Sequence, residues 1–314
     1  MGTYVLQRLL STIPVLFLVS LAVFSLIHLT PGDPVTIMLG EERNPEIIEA
    51  TRRDLGLDQP IMIQYVAWLG RVLQGDLGRS IRTKQPVADL IGQRLPATIQ
   101  LAIFSIVLAL AIALPAGIIS AVKRGSVLDA AATMISLLGI AVPSFFLGIL
   151  LIFVLSLQLR WLPPTGYVSP TVDLWMNLKL MLMPAITLGA GAAAVITRIA
   201  RSSLLEVLEQ EYVRTARAKG LAERLVVSRH ALKNALIPVV TVTGLSAGHL
   251  LGGAVIVEQI FALPGVGRLA VENIFNRDFP VVQGVVLLLA VIFLAVNFVV
   301  DLLYAALDPR IKYG

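Results

Sequence analysis

The residues that usually carry chemistry are sparse in this sequence, and their spacing matches no catalytic or metal-binding pattern. The chain of 314 residues has no cysteine, so it has neither a disulfide framework nor a thiolate site for metal or redox chemistry. Its three histidines, His28, His230 and His249, are scattered and form no HExxH motif. No lysine is followed by serine or threonine, as a nucleotide-binding phosphate loop requires. These patterns argue against an enzyme, and we expect no cofactor on this chain.

One short run imitates a dinucleotide-binding fingerprint. Gly265, Gly267 and Ala270 have the spacing of that motif, but they follow Leu263-Pro264, and no strand is predicted before them. We therefore interpret the run as a turn.

The composition identifies a polytopic membrane protein. Hydrophobic residues make up 57% of the chain and charged residues 14%, against about 25% charged in a typical soluble domain. A transmembrane helix needs about 20 apolar residues. Windows without a charged residue predict six spans, at 9–32, 95–122, 130–159, 180–197, 234–257 and 279–300. In a membrane protein, the net charge of +5 reflects the topology and contact with anionic lipid. It does not indicate binding of nucleic acid.

The six windows contain no carboxylate, and Asp301 lies only at the edge of the last one. An ionisable group inside the membrane would mark an ion or proton relay. His249 and Asn297 are the interior candidates, and we expect His249 to be satisfied by a neighbouring helix. An ion-coupled carrier and a membrane enzyme are therefore poorly supported.

The distribution of positive charge predicts the topology. Six spans place both termini on one side, and short cytoplasmic loops carry an excess of lysine and arginine. The four on the opposite side are Arg160, Lys179, Arg268 and Arg277. The thirteen on the side of the termini are Arg8, Lys123, Arg124, Arg198, Arg201, Arg214, Arg217, Lys219, Arg224, Arg229, Lys233, Arg310 and Lys312. Both termini and the 198–233 loop are therefore predicted to be cytoplasmic.

The long connection 33–94 is then an external loop that caps the bundle. Asn44 and Pro45 predict the start of a helix over 45–55, and a second helix is predicted over 60–73. The spans contain many small residues and prolines, which suit close helix packing or bends that line and gate a pathway.

The charged segment between the fourth and fifth spans points to a docking partner. A short helix along the interface is predicted over 202–210, then a helix over 211–219 that ends at Gly220, and another over 222–234. Val213, Ala216 and Gly220 share a face small enough to enter a partner's groove, with Arg214 and Arg217 beside it. The alternative is a basic loop on anionic lipid, but its alanines offer the bilayer no apolar anchor.

These residues also carry a family resemblance. The runs EYVRTARAKG (211–220) and HALKNALIPVVT (230–241) resemble the coupling segment of inner-membrane permease subunits of ATP-binding cassette (ABC) importers, in the peptide/nickel branch that includes dipeptide, oligopeptide and glutathione permeases. Specific matches extend over the whole chain. They are IHLTPGDPV (27–35), LGLDQP (55–60), GDLGRS (75–80), TRIARSSLLEVL (197–208), LPGVGRL (263–269), RDFPVVQG (277–284) and DLLYAALDPRI (301–311).

The resemblance implies an all-α membrane protein with the type I permease fold: six transmembrane helices and a cytoplasmic coupling helix. One permease domain would cover 1–314, with a coupling segment at 201–233. It implies a second permease subunit, two ATPase subunits, an extracytoplasmic binding protein and a peptide substrate, all at the inner membrane. The residues implied to couple to the ATPase are Glu211, Arg214, Thr215, Ala216, Arg217, Ala218, Lys219 and Gly220.

The sequence departs from the wider family at one point. The wider family's coupling motif begins with Glu-Ala-Ala, where this chain has Arg214, Thr215 and Ala216, so Glu211 does not take the role of the motif glutamate. The cargo stays open between peptides and nickel or another small solute, and a membrane scaffold that only binds a cytoplasmic partner is the alternative outside transport.

Overall fold

The secondary structure is helical in the computed structural model, which describes residues 2–29, 33, 35–36, 44–54 and 56–307. Apart from an isolated bridge between Arg79 and Pro86, these residues form no β-structure. The helices are α1 (Gly2–His28), α2 (Pro45–Asp54), α3 (Ile61–Leu73), α4 (Val87–Val122), α5 (Val127–Ala141), α6 (Ser144–Leu151), α7 (Leu174–Leu208), α8 (Glu211–Ala218), α9 (Glu223–Leu225), α10 (Leu232–Ile260), α11 (Val266–Phe275) and α12 (Phe279–Leu307). Two π-helical segments, Ile152–Gln158 and Val226–Ala231, continue α6 and lead into α10.

Among the described residues, five continuous helices are long and apolar enough to cross a membrane, and a bent helix pair makes a sixth when it is taken as one span. The continuous ones are Arg8–His28, Val87–Val122, Leu174–Leu208, Glu223–Leu250 and Phe279–Leu302. The bent pair, Val127–Ala141 and Ser144–Gln158, turns by 106° at its break. The window 130–159, predicted as one span, therefore contains a sharp bend.

Proline chemistry explains that break. Pro143 has no N–H to donate, and its ring disfavours the helical conformation of the residue before it. Val142 accordingly ends α5 with an extended backbone at φ −77° and ψ 122°. The helix continues through Pro184 in α7 and Pro238 in α10, so the residue type alone does not determine where a span breaks.

Residue contacts divide the chain into two compact units. One comprises Met1–Ala97 and Pro264–Ala295, and the other comprises Thr98–Leu263 and Val296–Gly314. The expectation of a single domain over 1–314 stays a prediction.

In the larger unit, α7 lies at the centre of the packing. Close approach depends on small residues: a Cβ at Gly189 would lie 2.7 Å from the Ser105 carbonyl oxygen of α4, and one at Gly117 would lie 2.8 Å from the Ala200 Cβ. The core around this contact is apolar and includes Leu101, Met181, Met183, Leu188, Leu250, Val257 and Phe261. This arrangement supports the expectation that small residues in the spans serve packing.

In the smaller unit, Asp278 joins two sequence motifs that lie far apart in the chain. Its buried carboxylate accepts hydrogen bonds from the Ser80 hydroxyl and from the Ile81 backbone N–H. The GDLGRS and RDFPVVQG runs therefore meet at the start of α12.

The predicted helices of the 33–94 loop are confirmed where the structure describes them. Asn44 Oδ1 accepts from the Glu46 backbone N–H at 2.9 Å and caps α2, and α3 covers Ile61–Leu73. Parts of the 27–35, 55–60 and 301–311 runs, and the positions of Arg310 and Lys312, lie outside the described residues.

Candidate coupling site

The helix that leads to the coupling segment is longer than predicted. The sequence placed the end of the fourth span near 197 and a separate short helix at 202–210, but α7 runs without a break from Leu174 to Leu208. The buried stripe that includes Ile196, Ala200 and Leu204 keeps helical spacing across the predicted boundary. The polar residues therefore lie on a continuation of the transmembrane helix, and the prediction of a separate helix was wrong.

The short helix α8 forms as predicted and ends at the predicted glycine. It covers Glu211–Ala218, with Glu211 in its first turn and Arg217 in its last. Gly220 follows with φ +76°, a left-handed conformation that glycine adopts without a steric penalty.

The face of α8 that was predicted to enter a partner's groove is buried within this chain. Val213 is fully buried and Ala216 is 6% exposed, and both form a cluster with Val226. Val207 and Leu208 pack against the same cluster. Ala216 therefore packs into the chain's own core, and its predicted contact with a partner's groove stays a prediction.

Arg217 also acts inside the segment. Its guanidinium donates to both carboxylate oxygens of Glu223, at 3.0 and 2.6 Å, and to the Leu208 carbonyl oxygen at 3.3 Å. The hydrogen bonds with Glu223 raise the pKa of the Arg217 guanidinium, which stays charged at physiological pH. Arg217 thereby ties the end of α7 to the start of α9.

The opposite face of α8 is exposed. Glu211 and Arg214 form an ion pair of 2.9 Å with side chains 85% and 64% exposed, and the Thr215 hydroxyl donates to the Glu211 carbonyl oxygen. A pair this exposed adds little stability, typically up to about 1 kcal/mol. Arg217 is also exposed but is bonded within the segment. The other exposed members of the predicted coupling set, which we call the outward face, are Glu211, Arg214, Thr215, Ala218, Lys219 and Gly220.

Two membrane helices hold α8 in place. Beyond the Arg217 contacts, the Asn234 side-chain amide of α10 donates to the Tyr212 hydroxyl at 2.8 Å. A buried cluster then packs α4, α7 and the start of α10 together through Ala121, Leu204, Val227, Ala231 and Ala235. The segment is thus a fixed extension of the transmembrane helices rather than a loose loop.

A half-buried ion pair fixes α7 further. The Arg201 guanidinium donates to both carboxylate oxygens of Asp129 at 2.7 and 2.9 Å, and Asp129 also accepts from the Gly125 backbone N–H at 2.9 Å. This arrangement joins the turn between α4 and α5 to the helix that carries α8.

Sequence reasoning missed the acidic partners in both ion pairs. Glu223 lies six residues after Arg217 across the turn at Gly220, a separation that a helical spacing rule does not find. Asp129 lies one residue outside the charge-free window at 130–159. The sequence offered one signal for the Asp129 ion pair. An acidic residue immediately beside an apolar span needs a partner for its carboxylate.

His249, one of the two polar candidates inside the membrane, has a partner within its own helix. His249 Nδ1 lies 2.9 Å from the Leu245 carbonyl oxygen, one turn earlier in the same helix rather than in a neighbouring one. Within residues 2–29, 33, 35–36, 44–54 and 56–307, no three His, Cys, Asp or Glu side chains form a group that could hold a metal ion.

Two family models match the chain. Residues 113–313 match the binding-protein-dependent transport system inner membrane component, and residues 1–102 match the N-terminal model of the membrane component of such systems.

Relatives agree with this assignment, and solved structures share the fold. The chain is 46% identical over 313 residues to the glutathione transport system permease protein GsiC of Escherichia coli K12, and 45% identical to that of Shigella flexneri serotype 5b, covering 100% of both chains in each case. Its fold resembles inward-facing MetNI methionine ABC transporter structures, with a TM-score of 0.58 and 20% identity over 70% of this chain and 96% of that one. An amino acid ABC transporter structure matches with a TM-score of 0.51 and 16% identity over 69% of this chain and 94% of that one. The chain belongs to the family of inner membrane components of binding-protein-dependent transport systems.

Proposed function

We propose that this chain is the permease subunit of an ATP-driven ABC importer of peptides. The cargo is glutathione or a di- or oligopeptide, and an extracytoplasmic binding protein delivers it. The observation that carries the substrate class is the 46% identity over the full length to a protein named as a glutathione transport permease. The pathway forms with a second permease subunit, and one permease domain covers 1–314.

ATP hydrolysis takes place on two separate ATPase subunits that dock on the outward face of α8. An exposed helix of mixed charge at the end of a transmembrane helix suits a groove on a soluble partner. When the ATPases close, they move α8, and the movement reaches α7 and α10 through Arg217, Glu223 and the buried Val213 cluster. Arg217 and Ala216 thus serve coupling by holding α8, while Arg214, Thr215 and Ala218 meet the ATPase.

Both termini and α8 lie in the cytoplasm, as the excess of lysine and arginine on that side supports. An epitope tag after Gly314 is expected to react only after the membrane is permeabilised, whereas a cysteine introduced at Asp58 reacts in intact cells. Labelling of the tag in intact cells would contradict this topology and place the C-terminus outside.

Uptake measurements test the substrate class. In a strain that lacks this chain, its return is expected to restore uptake of labelled glutathione or a labelled peptide and to leave nickel uptake unchanged. Binding of di-, tri- and oligopeptides, glutathione and nickel chelates to the cognate binding protein identifies the cargo. If only nickel uptake is restored, the substrate is nickel and not a peptide. If uptake of no solute is restored, the result favours a membrane scaffold over a transporter.

A further inference from the structure

Helix α3 presents an apolar surface that nothing in the described chain covers. Met62, Ile63, Val66 and Leu73 are 73%, 53%, 67% and 79% exposed. At 100° per residue these side chains occupy one continuous arc of the helix. No charged residue occurs from Ile61 to Gly70. An apolar arc of this size in water would be unusual for a soluble loop.

The other side of α3 packs on α1 through aromatic and polar contacts. The Tyr65 and Ser20 hydroxyl oxygens lie 2.8 Å apart, and the Phe24 ring centroid lies 5.3 Å from that of Tyr65 and 5.8 Å from that of Trp68. His28 Nε2 lies 2.9 Å from Gln64 Oε1. These contacts fix where α3 lies along α1.

That position lies at membrane depth. The span Arg8–His28 has 21 residues, or about 31 Å of helix, which matches the roughly 30 Å hydrocarbon core. Phe24 and Ser20 then lie about 6 and 12 Å inside the His28 end of the span. Because α3 packs beside these residues, it lies within the outer part of the apolar layer.

The exposed apolar surface of α3 also continues that of α1. Phe17, which contacts Tyr65 with ring centroids 6.2 Å apart, is 52% exposed, and its neighbour Leu18 is 62% exposed. Both belong to a helix that crosses the membrane, so their exposed surface faces apolar material. The arc on α3 extends the same surface.

We propose that Ile61–Leu73 is an interfacial membrane helix whose exposed arc contacts lipid acyl chains at the His28 end of α1. Its 13 residues are too few to span the bilayer but suit a helix buried about 5–10 Å into the boundary between headgroups and acyl chains. Gln64 and Arg71 share the side of the helix away from the arc, where polar side chains suit the headgroup region. Under the proposed topology this is the outer leaflet, so part of the 33–94 cap is anchored in the membrane.

Site-directed spin labelling tests the proposal cleanly, because the chain has no cysteine. Met62→Cys and Val66→Cys are labelled in the full-length chain, reconstituted in liposomes with its co-purifying subunits. Leu18→Cys on α1 is the lipid-facing control, and Asp58→Cys in the turn before α3 is the water-facing control. Collisions with oxygen and with a water-soluble nickel complex are then measured by relaxation.

The expected result is high oxygen and low nickel-complex accessibility at 62 and 66, as at 18 and opposite to 58. Nickel-complex accessibility equal to that at 58 would place the arc in water and overturn the proposal. Low accessibility to both reagents would overturn it as well, because a protein partner would cover the arc. If a label at 62 or 66 disturbs assembly, Ile63→Cys on the same arc is used in its place. The result depends on α1 crossing the membrane and not on cargo or ATPase docking.

Discussion

At the scale of single residues, two alanines of α8 have opposite roles. Ala216 is 6% exposed and packs with Val213 and Val226, whereas Ala218 is exposed. Side chains two positions apart in a helix point about 200° away from each other. Ala216 and Ala218 therefore lie on opposite faces of one short helix. The buried face holds α8 to its own chain, and the outward face is exposed.

A matched substitution separates these roles. Ala216→Leu adds three carbons to a filled cluster and is expected to destabilise the chain by about 1–3 kcal/mol. Ala218→Leu adds the same carbons on the exposed face and is expected to change stability by less than about 0.5 kcal/mol. Thermal unfolding of the two purified variants in detergent measures the difference.

The purified wild-type chain, without ATPase, is the reference for both variants. Equal unfolding temperatures for Ala216→Leu and Ala218→Leu would show that the Val213 cluster does not hold α8 in place.

At the scale of elements, close helix contacts depend on particular glycines. Gly189 brings α7 against the α4 backbone, whereas a Cβ at Gly191, two residues later in the same helix, would contact nothing within 4 Å. Both glycines look equivalent in the sequence run Gly189-Ala190-Gly191-Ala192.

Gly189→Ala is expected to lower the unfolding temperature, because its new methyl group would meet the Ser105 carbonyl oxygen at 2.7 Å and force the helices apart, at a cost of about 1–3 kcal/mol. Gly191→Ala is the control, and it is expected to be neutral or to stabilise the helix by up to about 1 kcal/mol. If both substitutions have the same effect, the α4–α7 contact is looser than described.

The break between α5 and α6 gives a prediction for Pro143. Spin labels at Met134 and Leu150 would lie about 24 Å apart along a straight helix, and the 106° bend brings them closer together. Pro143→Ala restores the N–H donor and is expected to lengthen the interspin distance, measured by electron paramagnetic resonance. An unchanged distance would mean that packing, rather than the proline, sets the bend.

Local patterns in the sequence predict much of these elements. Charge-free windows locate the spans, and the Asn44 cap and Gly220 stop mark helix ends, because each depends on neighbouring residues. The sequence does not reveal which proline breaks a helix, since Pro143 does and Pro184 does not. Nor does it pair Ser80 with Asp278, which are 198 positions apart. Such contacts depend on the tertiary fold.

The candidate site shows the same division. The helix at 211–218 and its exposed charges follow from the sequence. Which face of the helix packs against its own chain does not. Small residues suit both a partner's groove and a tight internal contact, and only the position of Val226 distinguishes the two for Ala216.

At the scale of the whole molecule, the proposed function is that of a membrane bundle driven by subunits outside its own chain. A helix fixed to α7 and α10 presents a charged outward face, and the sequence contains no phosphate-binding loop of the Gly-Lys-Ser/Thr type. Docking of an ATPase on α8 is the central claim, because both the energy source and the direction of coupling depend on it.

Co-purification of the ATPase subunits with outward-face variants tests this claim most directly. Ala218→Leu and Arg214→Glu are compared with Lys123→Glu, an exposed charge reversal outside α8. The account predicts that the two α8 variants insert in the membrane and unfold at the wild-type temperature but lose the ATPases and ATP-driven uptake, while Lys123→Glu keeps both. Wild-type amounts of ATPase and wild-type uptake with Ala218→Leu and Arg214→Glu would contradict it.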